Sequence, residues 1–281
     1  MTAVAEAAPP ELDESLRRRL PNKLIAGLVM LAGFVSVAAL APVIAPYDPN
    51  ALVASPLEDP SSTHLLGTDP LGRDVLSRII HAARVDLPLA VVVVVLSAAL
   101  GTVAGSIAAY RGGFADSLLN GLGSLVQAFP VYVLLIAVVF ALGPGARSLV
   151  VGYLVINWVI YARIVRGEVL RINGLDYVHA ARGSGTSGVR LLGLHILPNA
   201  SRQVLVYMSS DVVLAIGTIA TFSFFGIGVQ APTAEWGAMV ASGQLYLTTD
   251  PLQAIFPGLA IIALGLTFAL IGDGLDDHLG V

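Results

Sequence analysis

Five uncharged apolar stretches leave this chain few ways to fold. They cover residues 24–44, 87–110, 117–146, 212–234 and 251–272, and a helix needs about 20 such residues to cross a bilayer. A sixth, shorter run at 148–162 is bounded by Arg147 and Arg163. Arginines at helix ends can snorkel to the interface, so this run also counts as a span. In a bilayer every backbone polar group must be satisfied internally, so the expectation is an all-α integral membrane protein with six transmembrane helices. Only 12% of residues are charged, against roughly 25% in soluble domains.

The basic residues test that count. Arg17, Arg18, Arg19 and Lys23 precede the first span, Arg111 follows the second, and Arg163, Arg166, Arg171, Arg182, Arg190 and Arg202 lie between the fourth and fifth. Six spans put all of these on one face, leaving Arg73, Arg78, Arg84 and Arg147 on the other. The positive-inside bias then places both termini and the 163–202 loop in the cytoplasm. The organisation expected is a cytoplasmic tail (1–23), a first span (24–44), an extracytoplasmic loop (45–86), a core of five spans (87–272) and a short cytoplasmic tail (273–281). The first apolar run exceeds a signal-peptide core of about 7–15 residues and reads as an uncleaved anchor. Within the outer loop, Asp69 and Pro70 read as the cap and first position of an amphipathic interfacial helix, with Leu71, Val75, Ile79 and Ile80 on one face. No internal repeat is evident, which argues against a single-chain secondary transporter.

Several chemistries are excluded. The absence of cysteine removes disulfides, thiol catalysis and cysteine-ligated metals. Lys23 is the only lysine, so the chain holds no GxxxxGK[ST] nucleotide loop. His64, His81, His179, His195 and His278 form no metal-ligand spacing, and Asp273, Asp276 and Asp277 read as a solvated tail. There is no G-x-S-x-G elbow. No catalytic set, metal site, cofactor or nucleic-acid partner is expected in this chain. Any energy source must lie in other subunits.

The most telling polar segment is DYVHAARGSGTSGVRLLGLHILPN, residues 176–199. Asp176 reads as the cap of a short helix through Ala180–Arg182. Ala180 and Ala181 carry little side chain, so another protein can approach closely. Gly185 permits a sharp turn, a second helix follows through 189–196, and Pro198 starts the next span. The product is a helix–turn–helix elbow; the plainer reading is an ordinary cytoplasmic loop.

Here a resemblance narrows the choice. Ala180-Ala181-x3-Gly185 followed by Leu197-Pro198 resembles the EAA loop of ABC importer permeases. The chain departs from that pattern at His179, where Glu or Gln is usual, at His195, where Ile is usual, and in the less helical Arg182-Gly183-Ser184. LGTDPLGRDVLSR (66–78), FSFFGIGVQAPTAEWGAMVASG (222–243) and FPGLAIIALGLTFALIGDGLDDHL (256–279) resemble three further segments of the dipeptide/oligopeptide/nickel permeases, in the same order. The LGTD…GRD block is similar to that of the "C" member of the paired permeases. Ile219 stands where the family often has an acidic residue.

The resemblance implies a type I ABC importer permease, a pore-forming subunit for short peptides or a related solute such as nickel or haem. It implies a second, similar permease, two ATP-binding subunits or one fused ATPase that hold ATP and Mg, and an extracytoplasmic substrate-binding protein. Asp176, His179, Ala180, Ala181, Gly185, His195, Leu197 and Pro198 then form the ATPase-coupling loop. Hydropathy alone would also suit a membrane scaffold or an intramembrane enzyme.

Other residues carry two readings each. Asp211, Gln127, Asn157 and Asn120 are candidates for a translocation path or for bonds between helices. Pro130 is expected to kink the third span, and Gly101-x3-Gly105 reads as a close-packing motif. Glu235 and Trp236 read either as a contact for the binding protein or, for Trp236, as an interfacial belt residue.

Overall fold

The computed structural model describes residues 20–280; Arg17, Arg18 and Arg19 lie outside the described residues. Ten α-helices follow one another among these residues, and no strand forms beyond one isolated Thr68–Asp74 bridge. They are α1 (Asn22–Ile44), α2 (Val75–Arg111), α3 (Gly113–Gln127), α4 (Val131–Leu142), α5 (Ala146–Asn173), α6 (Asp176–Gly183), α7 (Gly188–Leu191), α8 (Leu197–Phe224), α9 (Trp236–Gln244) and α10 (Leu252–Leu279). A π-helical turn, Leu192–Ile196, joins α7 to α8, so residues 188–224 form one helical body.

Five bodies are long and apolar enough to cross a membrane: α1, α2, α5, α7–α8 and α10. The third expected span is not one kinked helix. It breaks into α3 and α4, which meet at 87°. Pro130 explains the break, because it lacks an N–H and excludes Phe129 from regular helix geometry. Counted as one broken span, the pair brings the total to six.

The core is built around α2 and α5, with α8 against both, and α10 between α1, α8 and α9. Gly101 and Gly105 explain the tight α2–α5 approach. A Cβ on Gly105 would lie 2.3 Å from the Ala162 carbonyl oxygen, and one on Gly101 would lie 2.4 Å from Tyr161 Cβ. The expected close-packing motif is therefore real. Without a hydrophobic drive between helices in lipid, such backbone proximity is how van der Waals contact is gained.

The separate interfacial helix at 69–80 does not form. Asp69 instead closes a tight turn, accepting from the Leu71 and Arg73 amides at 2.8 and 3.0 Å and from Arg73 Nε at 2.6 Å. Asp74 is the true cap, accepting from the Ser77 amide at 2.8 Å. Helix α2 starts there and runs unbroken for 37 residues. The sequence holds two Asp residues five apart before one apolar pattern, and Gly72 decides between them. Its positive φ of 79° and its contact with Ala54 fix a turn where a helix from Asp69 would have to continue. The preceding loop is tied down by Arg78 Nη1 to the Pro49 carbonyl (2.8 Å) and by Gln253 Nε2 of α10 to the Thr68 carbonyl (2.8 Å).

Candidate functional site

The elbow between α5 and α8 is a built structure. Helix α6 ends in a Schellman turn: the Thr186 amide donates to the Ala181 carbonyl (3.0 Å) and the Gly185 amide to Arg182 (2.9 Å), with Gly185 at φ 86°. This left-handed geometry is why glycine stands there. Asp176 is not the cap as expected. Leu175 holds that position, and Asp176 is the first helical residue, where its charge complements the helix dipole. Val178, 0% exposed, points inward and fastens α6 to the core.

The two alanines have different surroundings. Ala180 is exposed, whereas Ala181 packs partly against the chain's own core. Close approach by a partner is therefore open at Ala180. His179 is exposed beside it, and His195 is half-buried on the facing π turn. The π turn itself follows from Pro198. Proline cannot donate back along an α-helix, and the Leu197 amide reaches instead to Leu192. The His195 carbonyl accepts from Asn199 Nδ2 (2.9 Å) and Tyr177 Oη (3.3 Å). Tyr177 thus pins α6 to the start of α8. Beside the elbow lies a polar groove of about 370 Å³ between the ends of α5, α8 and α10, lined by Glu168, Arg171, Asn199, Arg202 and Gln203.

A second feature lies along the helices that flank the elbow. Asp211, in α8, is 1% exposed. Its Oδ1 accepts from Tyr153 Oη at 2.6 Å and its Oδ2 from Tyr161 Oη at 2.8 Å, both from α5. Tyr207 packs edge-on against Tyr161, with ring centroids 5.1 Å apart. This carboxylate is therefore paired across helices. It forms part of the wall of an apolar groove of about 340 Å³ lined by Tyr132, Asn157, Tyr207, Leu214 and Thr218. Asn157 shares that groove and Gln127 does not. Gln127 is exposed and accepts from Arg163, while Asn120 bonds to the Asp116 carbonyl within α3. Sequence reasoning missed Tyr153 and Tyr161; two phenols inside an apolar helix, with one intramembrane acid elsewhere, were the available signal.

Glu235 and Trp236 are 0% and 1% exposed. Neither serves as a surface contact, and Trp236 is no belt residue. Its indole Nε1 donates to the Ile79 carbonyl at 3.1 Å and its ring meets Phe34 edge-on. Glu235 caps α9 through the Ala238 amide at 2.7 Å. Partners on α1 and α2 hold both residues inward, which one-dimensional hydropathy does not register. Among the described residues no group of three or more His, Asp or Glu side chains is placed to hold a metal.

A multi-pass helical membrane protein with a rigid polar elbow between two long spans belongs to the class of transporter permeases. Residues 101–280 match the family described as "Binding-protein-dependent transport system inner membrane component", and the chain belongs to that family. It is 32% identical to the dipeptide transport system permease protein DppC of Alkalihalophilus pseudofirmus, over 99% of this chain and 95% of the relative. It is 36% identical to the oligopeptide permease OppC of Bacillus subtilis, covering 95% and 88%. It is 37% identical to the nickel permease NikC of Escherichia coli, covering 83% and 85%. The chain is thus an ABC permease subunit of the type that resemblance in the EAA, LGTD and EWG segments indicated.

Proposed function

We propose that this chain is one of two permease subunits lining the pore of an ATP-driven importer for short peptides. In this reading an extracytoplasmic binding protein delivers the solute, cytoplasmic ATPases hydrolyse ATP with Mg, and both termini and the elbow face the cytoplasm. The single observation that carries the coupling role is the elbow. An exposed Ala180 sits on a short helix that Val178 fastens to the core and Tyr177 ties to the start of α8, with a Schellman turn closing its end. A rigid knob with a flat, small-residue face suits docking into a groove on another protein, and any force on it passes into two spans. The peptide assignment is supported by the dipeptide and oligopeptide relatives. The nickel relative supports a metal complex as the second reading.

The test is reconstitution of the chain with its partner permease, ATPases and binding protein in proteoliposomes. Di- and oligopeptides, nickel complexes and haem are compared by substrate-stimulated ATP hydrolysis. Ala180→Trp is expected to abolish stimulated uptake while the chain still folds and inserts, because that position is exposed. Unchanged uptake in Ala180→Trp refutes the docking role, and stimulation by none of the peptides refutes the substrate class.

A further inference from the structure

A pair of buried carboxyls, Asp86 of α2 and Glu235 at the start of α9, has no part in the coupling elbow or in the groove beside Asp211. Asp86 is 5% exposed and Glu235 fully buried, and their side chains meet. Asp86 Oδ2 accepts from the Trp236 amide at 3.2 Å, and Glu235 Oε2 accepts from the Ala238 amide at 2.7 Å. Glu235 Oε1 accepts from no N–H or O–H group at hydrogen-bond geometry. We propose that Asp86 and Glu235 together form a proton-binding site, with one proton held between the two carboxyls, that latches α9 to α2.

The reasoning is electrostatic. Two ionised carboxylates in contact, out of water and without a cation, repel each other strongly, and one bound proton turns that repulsion into a short hydrogen bond. A proton held there also offers a partner to the pair's buried oxygen that has none, Glu235 Oε1. The surroundings supply no compensating cation. On α2, Arg78 is committed to Asp69 and to the Pro49 carbonyl. His81 and Arg84 line a neighbouring pocket with Pro49, Asn50, Thr233 and Ala234, and neither acts on Asp86 or Glu235 as a charge partner. From α8 the Ser223 hydroxyl approaches Glu235; its oxygen accepts from the Val229 amide at 3.1 Å, which leaves its O–H as a neutral donor that brings no charge to the pair. From α10, Gln253 bonds to Asp250 and to the preceding loop, and α1 presents Phe34 to the Trp236 ring. Burial pushes the Glu235 carboxyl up from its ordinary value, in the same direction.

The latch has a clear position. Through it the α8–α9 connection is fixed to about the fourth turn of α2, away from the elbow. Loss of the proton sets two like charges against each other and loosens α9. The stabilisation is therefore fully present below the ordinary carboxyl range and is lost as pH rises from there through the raised titration of Glu235.

The test uses the full chain in its assembled transporter in lipid nanodiscs, with Asp86→Asn and Glu235→Gln. Both replacements keep hydrogen-bonding shape, and each offers the remaining carboxylate an amide donor. In an infrared titration from acidic to alkaline pH, the band of a protonated carboxyl is expected to persist above the ordinary carboxyl range in the wild type and to disappear within that range in both variants. Amide exchange in residues 236–244, corrected for its intrinsic pH dependence, is expected to accelerate at least about tenfold from below the ordinary carboxyl range to alkaline pH in the wild type and to stay flat in Glu235→Gln. No difference in the carboxyl band, or the same pH profile in Glu235→Gln as in the wild type, overturns the proposal. So does exchange that follows sodium or potassium concentration rather than pH, which would make the occupant a metal cation.

Discussion

Removing the Asp211 carboxylate tests whether the acid is a clamp between α5 and α8 or a contact for the transported solute. Two phenol hydroxyls converge on its two oxygens, at 2.6 and 2.8 Å. Interhelical hydrogen bonds in bilayers contribute about 0.6 kcal/mol on average and about 1.7 kcal/mol at most. A carboxylate acceptor and near-complete burial argue for the upper end. Tyr153→Phe and Tyr161→Phe should then each cost about 1.5 kcal/mol, and Asp211→Ala about 3 kcal/mol. Asp211→Asn should cost less, about 1 kcal/mol, because one phenol can still donate to the amide oxygen and the other can accept from the amide nitrogen. The assay is the apparent Tm at one fixed scan rate, with transport measured alongside. Combining Tyr153→Phe with Asp211→Ala should cost less than the sum of the two by about 1 kcal/mol or more, since each change removes the same bond. Additivity within about 0.5 kcal/mol would show that the bond contributes nothing. A raised KM with unchanged Tm in Asp211→Asn would show that the acid meets the solute instead.

Other substitutions report on separate elements. Gly105→Leu should abolish stable accumulation of the chain, because even a Cβ there meets the Ala162 carbonyl; the α2–α5 seam is disproved as the packing core if the protein accumulates normally. Gly185→Val has open space for its side chain but must adopt a positive φ, so it should cost about 1–2 kcal/mol and loosen α6, read as faster amide exchange in residues 176–186. The Glu58 carboxylate is held below its ordinary value by the Ser55 amide. The turn it closes should be intact above the ordinary carboxylate range and open as pH falls through the depressed value, with faster exchange of the Ser55 amide as the measure; Glu58→Gln should remove that dependence.

How far the sequence reaches varies by element. Apolar length located α1, α2, α5, α8 and α10, because the demand for about 20 apolar residues acts locally along the chain. The α3–α4 break was marked by Pro130, but whether a proline bends a helix or ends it depends on what packs around it. Here Arg166 braces α3 from α5 through both oxygens of Asp116, and Gln127 is held by Arg163. These bonds join residues about 36 to 50 positions apart, a range that periodicity cannot see. The elbow was legible because its parts are local: small residues, a left-handed glycine and a proline at fixed spacing. The inward burial of Glu235 and Trp236 was not, because their partners Asp86, Ile79 and Phe34 come from α1 and α2.

The elbow and the Asp211 clamp act on the same two helices. Tyr177 and Val178 fix α6 to the ends of α5 and α8, and further along those helices Tyr153 and Tyr161 hold Asp211. At the near end the chain is polar and open to a partner; at the clamp it is buried beside the apolar groove. Two helices joined at two levels cannot slide past each other without breaking one of the joints. In the proposed coupling, a force on α6 is passed on to α5 and α8 together, and α2 is packed into the same unit, because Gly101 and Gly105 bring its backbone against Ala162 of α5. The wall of the groove from Tyr153 to Thr218 belongs to this unit, and α4 packs on it as well, with Leu135 against Gly152 of α5 and the Tyr132 ring 6.0 Å from that of Phe222 in α8.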